Sequence, residues 1–243
     1  MELPAIPMYL QFKRADCMTR RSVWEIRDYK LGLELPFFRF KITESGKSNQ
    51  HEMLLHLDDG ENLVYYVAPR FHRYREINDA WSNNAVASRS IFVSPQQIGI
   101  LNEEPHHVAY DSNSAYLCSE PREVRFQHSV EVLERLQSLL ENDARPLGSR
   151  IGEIKNSMNR ALIRTRDRAV TRRQDTRSSF FDEMEAALLA EPRSETRMEE
   201  ATVPRIPTRP ARPLSREIEE LREISDAAAK VFGAQLLLVQ PRR

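Results

Sequence analysis

Glycine is scarce, with seven in 243 residues. Loops that cradle phosphate need glycines so that backbone N–H groups can approach the ligand closely. Neither G-x-G-x-x-G nor G-x-x-x-x-G-K occurs, and the G-x-S-x-G of a serine-hydrolase elbow is absent as well. Cysteine is scarcer still: Cys17 and Cys118 are the two, and neither belongs to a C-x-x-C pair. That excludes a disulfide framework and points to a reducing compartment. Net charge is missing too, since 36 basic residues balance 36 acidic ones. Attraction of the whole chain to phosphate is therefore excluded, and any such attraction must be local. No apolar run approaches the roughly 20 residues that span a bilayer. The stretch Met1–Pro7 lacks a basic region followed by an apolar one, so it does not read as a secretory signal. The expectation is a cytoplasmic protein with no membrane partner.

Large apolar side chains are present, but unevenly. Of the aromatic residues (Trp 2, Tyr 7, Phe 10), only Phe180, Phe181 and Phe232 follow Phe126. Because such side chains build cores, the core is expected mainly within the first 140 residues. Met8–Lys13 and Phe37–Ile42 alternate and are rich in strand formers, so both read as strands. Asn49–Leu57 reads as a helix ended by Asp58-Asp59-Gly60. Leu63–Ala68 is a continuous apolar run stopped by Pro69, which suits a buried strand. A short helix is expected over Arg75–Asn83, then strands over Arg89–Val93 and His107–Tyr110. Ser129–Asn142 is an amphipathic helix with Val132, Leu133, Leu136, Leu139 and Leu140 on one face.

Beyond Pro146 charge dominates. Arg150–Arg177 holds nine basic and three acidic residues, a local +6; Asp182–Glu200 holds seven acidic and two basic ones, a local −5. The tract Val203–Pro213 is dense in proline and reads as an extended linker. Ser215 then suits a helix N-cap, with Glu217, Glu219 and Glu220 in the first turns. Gly233 is placed to end that helix, and Ala234–Val239 reads as a strand of the fully buried kind. An apolar strand cannot stand alone, so it is expected to return to the N-terminal sheet. The fold class is thus α+β: a mixed sheet with flanking helices, plus a charged helical or disordered insertion before a C-terminal helix and strand. The expected divisions are a body over 1–144, an insertion or linker over 145–213, and a helix–strand unit over 214–243 that packs back on the body.

Several constellations bear on chemistry. His51-Glu52-Met53-Leu54-Leu55-His56 is similar to the zinc-protease motif H-E-x-x-H but carries one residue more. At i, i+5 the imidazoles stand about 500° apart around a helix, some 140° off a common face. They cannot chelate one ion, and Ser48-Asn49-Gln50-His51 is read instead as a helix cap. His72, His106 and His107 are ligand-competent, but spacing assigns no metal site. Arg160, Arg164, Arg168, Arg172 and Arg173 are candidate phosphate contacts, since the guanidinium fork suits phosphate and arginine outnumbers lysine here. The competing reading is a solvated helix neutralised by the acidic segment that follows, with residues 150–200 meeting a protein partner.

Gln11-Phe12-Lys13 on its predicted strand resembles the Q-x-K end of the restriction-endonuclease-like nucleases. In such sites strand alternation puts a metal-facing polar group and a lysine on one face, beside acids from the preceding strand. Carboxylates hold Mg²⁺, and the lysine positions the attacking water. A wider pattern is similar to a family of uncharacterised bacterial proteins. It comprises Gln11-Phe12-Lys13, Pro36–Phe40, Ser48–His51, Val64–His72, Ser94–Gly99, His106-His107 and Phe232–Val239. The resemblance implies Gln11 and Lys13 as catalytic residues, Mg²⁺ as cofactor and nucleic acid as partner. It also implies an acidic half upstream of Met1, either encoded ahead of this start or lost. Two functions are expected on these grounds. One is a truncated or inactive nuclease-like domain in nucleic-acid metabolism or defence. The other is a non-catalytic protein-interaction module, or a degenerate gene product without independent activity. Whether the chain is an enzyme stays open.

Overall fold

A computed structural model describes residues 4–42, 49–102, 104–143, 145–172 and 216–241. The first strand, β1 (Ile6–Phe12), is followed by β2 (Asp16–Met18), α1 (Trp24–Arg27), β3 (Phe37–Lys41) and α2 (Gln50–Leu57). Then come β4 (Leu63–Pro69), α3 (Tyr74–Ser82), β5 (Ser90–Val93), α4 (Pro95–Ile98), β6 (His107–Tyr110), β7 (Ala115–Leu117) and β8 (Arg122–Glu123). Helices α5 (Ser129–Asn142) and α6 (Leu147–Arg172) precede α7 (Arg216–Ala227), a π turn (Ala228–Phe232) and β9 (Gln235–Val239).

The strands form two sheets. One has the order β5-β4-β1-β9, with β1 parallel to β4 and antiparallel to β9. The other is antiparallel throughout, in the order β2-β3-β6-β7-β8. The class is α+β, as the sequence reads, and the C-terminal strand does pair with the first strand of the chain.

Strand alternation divides the interior. Tyr9, Val64, Tyr66, Ala68, Ile91 and Val93 point from the mixed sheet into the principal core. There they meet Leu54 and Leu57 of α2, and Phe38, Phe40, Val108 and Tyr110 of the second sheet. Met8, Leu10, Leu63, Tyr65, Val67 and Phe92 point the other way, onto Val132 and Leu136 of α5. The Tyr110 hydroxyl donates to the Pro69 carbonyl (2.6 Å), joining the second sheet to the end of β4. A strand buried on both faces has no room for alternating polar residues, which is why β4 reads as a continuous apolar run; β1, read as alternating, is likewise buried on both faces as far as Gln11.

Three expectations are revised. The segment set apart by its charge from residue 145 begins with α6, whose Ile151, Ile154, Met158, Ala161 and Leu162 lie in the principal core against α2. These positions recur at helical spacing, and the arginines occupy the rest of the helix. Leu133 is 62% exposed, one residue off the buried seam of Val132 and Leu136. Strand β9 is half-covered, because it forms a sheet edge and Leu237 stays 41% exposed. Ser215, the proline tract and the acidic segment lie outside the described residues. Among the described residues no helix is long and apolar enough to cross a membrane.

If α6 is core, Ile154→Ala lowers unfolding free energy by about 2–5 kcal/mol. Leu133→Ala, on an exposed position, changes it by less than about 0.5 kcal/mol. Urea unfolding followed by circular dichroism reads both; equal, small effects would remove α6 from the core.

Candidate functional site

Gln11 occupies the carboxyl end of β1, on its α2 side, and Lys13 follows one residue after the strand ends. Gln11 is only 5% exposed, and its Nε2 donates to the carbonyls of Phe232 (3.4 Å) and Gly233 (3.3 Å). Gly233 ends the π turn in the left-handed region (φ 60°), and a Cβ there would lie 1.9 Å from Gln50 Nε2. Any other residue would hold a strained left-handed backbone and push the Gln50 side chain aside. Two glutamines, from β1 and α2, thus close upon the turn that launches β9. Lys13 holds its ammonium 5.1 Å from the centroid of the Tyr66 ring, a cation–π contact.

Behind Tyr66 lies a buried chain of hydrogen bonds. His51 Nε2 is 2.7 Å from the Gly99 carbonyl, and Nδ1 is 2.7 Å from the Tyr66 hydroxyl. A carbonyl can only accept, so Nε2 carries the proton and Nδ1 accepts from the tyrosine. Burial pulls the imidazole down to about 4, with the Gly99 bond opposing and the nearby His106 and Lys13 adding to the shift. Burial also raises the Tyr66 hydroxyl. The pair is therefore neutral at pH 7. His51 does not act as a cap, and Asn49, the N-cap of α2, makes no side-chain cap bond.

The other histidines are dispersed. His106 is buried between the Ser119 hydroxyl (2.5 Å from Nδ1) and Asn102 Oδ1 (2.8 Å from Nε2). His72 pairs with Glu76 (3.3 Å). His56 faces α6, where burial lowers its pKa and the charges of Arg164 and Arg168 add to the effect. Among the described residues no group of three or more His, Cys, Asp or Glu side chains is arranged to hold a metal ion. Both cysteines are free, and burial pushes the Cys118 thiol up to about 12.

The arginines named as phosphate contacts spread along α6. Arg160 pairs with Asp59 (3.5 Å) and donates to the Ser157 hydroxyl (2.9 Å). Arg168 pairs with Glu52 of α2 (3.2 Å). Arg164 is exposed, Arg172 closes the helix, and Arg173 lies outside the described residues. Much of this basic face is thus turned upon acids of the same chain.

A surface that sequence reasoning passed over is more distinctive. Helix α3 presents Tyr74 (86% exposed), Ile77 (39%) and Trp81 (77%) to solvent. At i, i+3 and i+7 these side chains lie within about 60° of one another around the helix. Ala80 is the residue that α3 buries. Glu76 fixes the helix start, accepting the backbone N–H groups of His72 (3.0 Å) and Arg73 (3.2 Å). These bonds hold its carboxyl below the ordinary value. Arg89 pairs with Asp79 (2.7 Å), whereas Arg73 and Arg75 make no ion pair among the described residues. The spacing of Tyr74, Ile77 and Trp81 was legible, but a periodic stripe does not say whether it faces core or solvent.

The chain matches no family model, no curated protein and no solved structure.

The neutral His51 makes a pH prediction. Its folded pKa lies below the unfolded value of about 6.5, so the unfolded chain binds the extra proton between those two values. Stability contributed by neutral His51 is complete above pH 6.5 and is lost as pH falls toward 4. The loss is about 3 kcal/mol. His51→Gln, whose stability is measured against its own value at pH 7, flattens that slope in urea titrations. An unchanged slope would show that His51 titrates normally.

Proposed function

We propose that this chain is a non-catalytic interaction module that docks an acidic, apolar-centred protein surface against α3. The carrying observation is the solvent-facing stripe of Tyr74, Ile77 and Trp81, with Arg73 and Arg75, which make no ion pair among the described residues, at its amino-terminal end. Tryptophan, tyrosine and arginine are the residues that most often dominate binding energy at protein interfaces. Each aromatic can bury about 150–250 Å². At about 25 cal/mol per Å² that amounts to several kcal/mol before the cost of association. Ile77 at the centre favours a protein partner, since an aliphatic side chain offers a nucleic acid base no stacking plane. The arginines around it select for acidic neighbours on that partner.

The nuclease-like reading has less support. Gln11 is engaged with the carbonyls of Phe232 and Gly233, and Lys13 lies over Tyr66. Mg²⁺ would need carboxylates that no described cluster supplies. Arg160 and Arg168, the presumed phosphate contacts, are paired with Asp59 and Glu52.

A photo-crosslinking residue at position 78, exposed beside the stripe on α3, tests the proposal in cells in the full chain, with position 163 as an exposed control on α6. A protein captured at 78 and not at 163 is then purified and titrated with the chain. Tyr74→Ala with Trp81→Ala should weaken binding at least ~30-fold. Arg73→Glu with Arg75→Glu should slow association and steepen the loss with salt. Both variants should keep the parent melting temperature. Unchanged affinity in the aromatic variant would sink the proposal, as would Mg²⁺-dependent cleavage of DNA or RNA that Lys13→Ala abolishes.

A further inference from the structure

A second feature, independent of α3, is a cavity of about 340 Å³ between the turn after α2, the start of α4, the strand segment after β8, and α5. Its walls are polar, with Asp58, Ser94, Gln96, Arg125, Gln127 and Arg135 among the residues that line it. That volume is at the low end of the roughly 300–1,000 Å³ of small-molecule sites, and those are mostly apolar. A polar site of this size suits a small, highly polar ligand.

The walls are built. Asp58 is 6% exposed, and its Oδ2 accepts from the Ser94 hydroxyl and from Gln96 N (3.4 Å). The Gln96 side chain donates to the carbonyls of Leu55 (2.9 Å) and Asp58 (2.8 Å), which locks the turn against α4. Gln127 is held by two backbone bonds to Phe92 (3.0 and 2.8 Å). Its side-chain Oε1 is buried and has no hydrogen-bond partner among the described residues. A buried acceptor left unpaired is costly, so a donor from outside the chain would stabilise it.

The cations have no ion-pair partner among the described residues, although the charge of Arg135 acts on the Asp58 carboxyl across the cavity. Arg135 donates to the Tyr65 hydroxyl (3.4 Å) and makes no ion pair among the described residues. Arg125 makes neither a hydrogen bond nor an ion pair among them. Two guanidinium groups therefore line one cavity, where the only lining carboxylate, Asp58, already accepts from two donors. A carboxylate ligand has one edge, which a single fork fills. A phosphate monoester has three terminal oxygens and a charge of about −1.5 to −2, so it can engage both forks.

We propose that this cavity binds a small phosphomonoester, its phosphate between Arg125 and Arg135 and an O–H or N–H of its organic part donating to Gln127. Sugar phosphates and nucleoside monophosphates share this chemistry.

Calorimetric titration of the full chain with inorganic phosphate, ribose 5-phosphate and adenosine 5′-monophosphate, at fixed ionic strength, tests it. At least one ester should bind one per chain with Kd below ~1 mM, and more tightly than inorganic phosphate. The tighter ester says whether sugar or base is read. Arg125→Gln, at an exposed position, should weaken binding at least ~10-fold without moving the melting point of the free protein. Arg125→Lys should recover only part of the loss, because an ammonium lacks the fork. Gln127→Leu should erase the preference for ester over inorganic phosphate. No saturable binding of either ester, or ester binding indifferent to both Arg125→Gln and Arg135→Gln, would overturn the proposal. Inorganic phosphate binding more tightly than both esters would overturn it as well.

Discussion

Strand β1 is apolar on both faces, and most of the architecture answers that one demand. A strand with Met8 and Leu10 on one side and Tyr9 on the other must be covered twice. Helix α5 covers the first face; α2, α6 and the second sheet cover the other. It must also be flanked on both edges, because unpaired backbone groups buried away from water are expensive. The chain supplies β4 as a parallel neighbour and β9, from its far end, as an antiparallel one. Pro7 donates no N–H, but it lies ahead of the β4 ladder, which starts at Met8. Gln11 then fastens the turn at Gly233, with Gln50 of α2 packed beside it, so distant parts of the chain close around the same strand.

Charge follows apolar packing here and does not lead it. Helix α6 buries Ile151, Ile154 and Met158 against α2, and its flanking polar groups meet acids of the neighbouring turn. Asp59 is joined to Ser157 and Arg160, Glu52 to Arg168, and Asn62 to Ser157. Pairs at a wet surface are each worth about 0–1 kcal/mol, so they set the register of the two helices more than their stability. At the α5–α6 junction Arg145, beside Arg150, holds the Asp143 carboxyl well below the usual carboxylate range. Arg150, Lys155, Arg160 and Arg168 of α6 are thus each paired with an acid of the same chain.

How much was legible follows from these layers. Strand β4 could be read as buried on both faces, since such burial writes itself as a continuous apolar run; β1 was read as a strand, but its alternation suggested one covered face where there are two. The return of β9 could be argued from its composition, but its edge position could not, because an edge and a centre strand share the same residues. In α6 the core positions were present at helical spacing, yet nine basic side chains in Arg150–Arg177 drew the reading toward a solvated segment. In the second sheet β3 and β6 could be read, but Asp16–Met18, Ala115–Leu117 and Arg122–Glu123 carry too few residues to show a period and were missed. At the candidate sites the limits were directional. Gln11 was placed on the correct strand and Lys13 falls one residue past its end, but neither could be placed against Gly233 and Tyr66. His51 looked like a cap because nothing local announces Tyr66 and Gly99 as its partners. The cavity around Arg125 and Arg135 joins four stretches of chain, and no local pattern brings them together.

The connection that carries α3 is longer than the fold requires. Strands β4 and β5 are antiparallel neighbours paired up to Pro69 and Ser90, and such a pair can be closed by a two-residue hairpin. Residues 70–89 intervene instead. Their ends are pinned by the Arg70 N–H donating to the Arg89 carbonyl (2.7 Å), and by the Arg70 guanidinium donating to Ser88 (2.9 Å). The excursion is therefore an ordered appendix on a closed base. It adds little to the core, since α3 buries Ala80 alone. Yet it carries Tyr74, Trp81 and four arginines (Arg70, Arg73, Arg75 and Arg89). Were stability the reason for this segment, the aromatics would face inward, where each could contribute by burial. Facing outward on a rigid base, they are preorganised for contact at little further entropic cost, as connections that carry function commonly are.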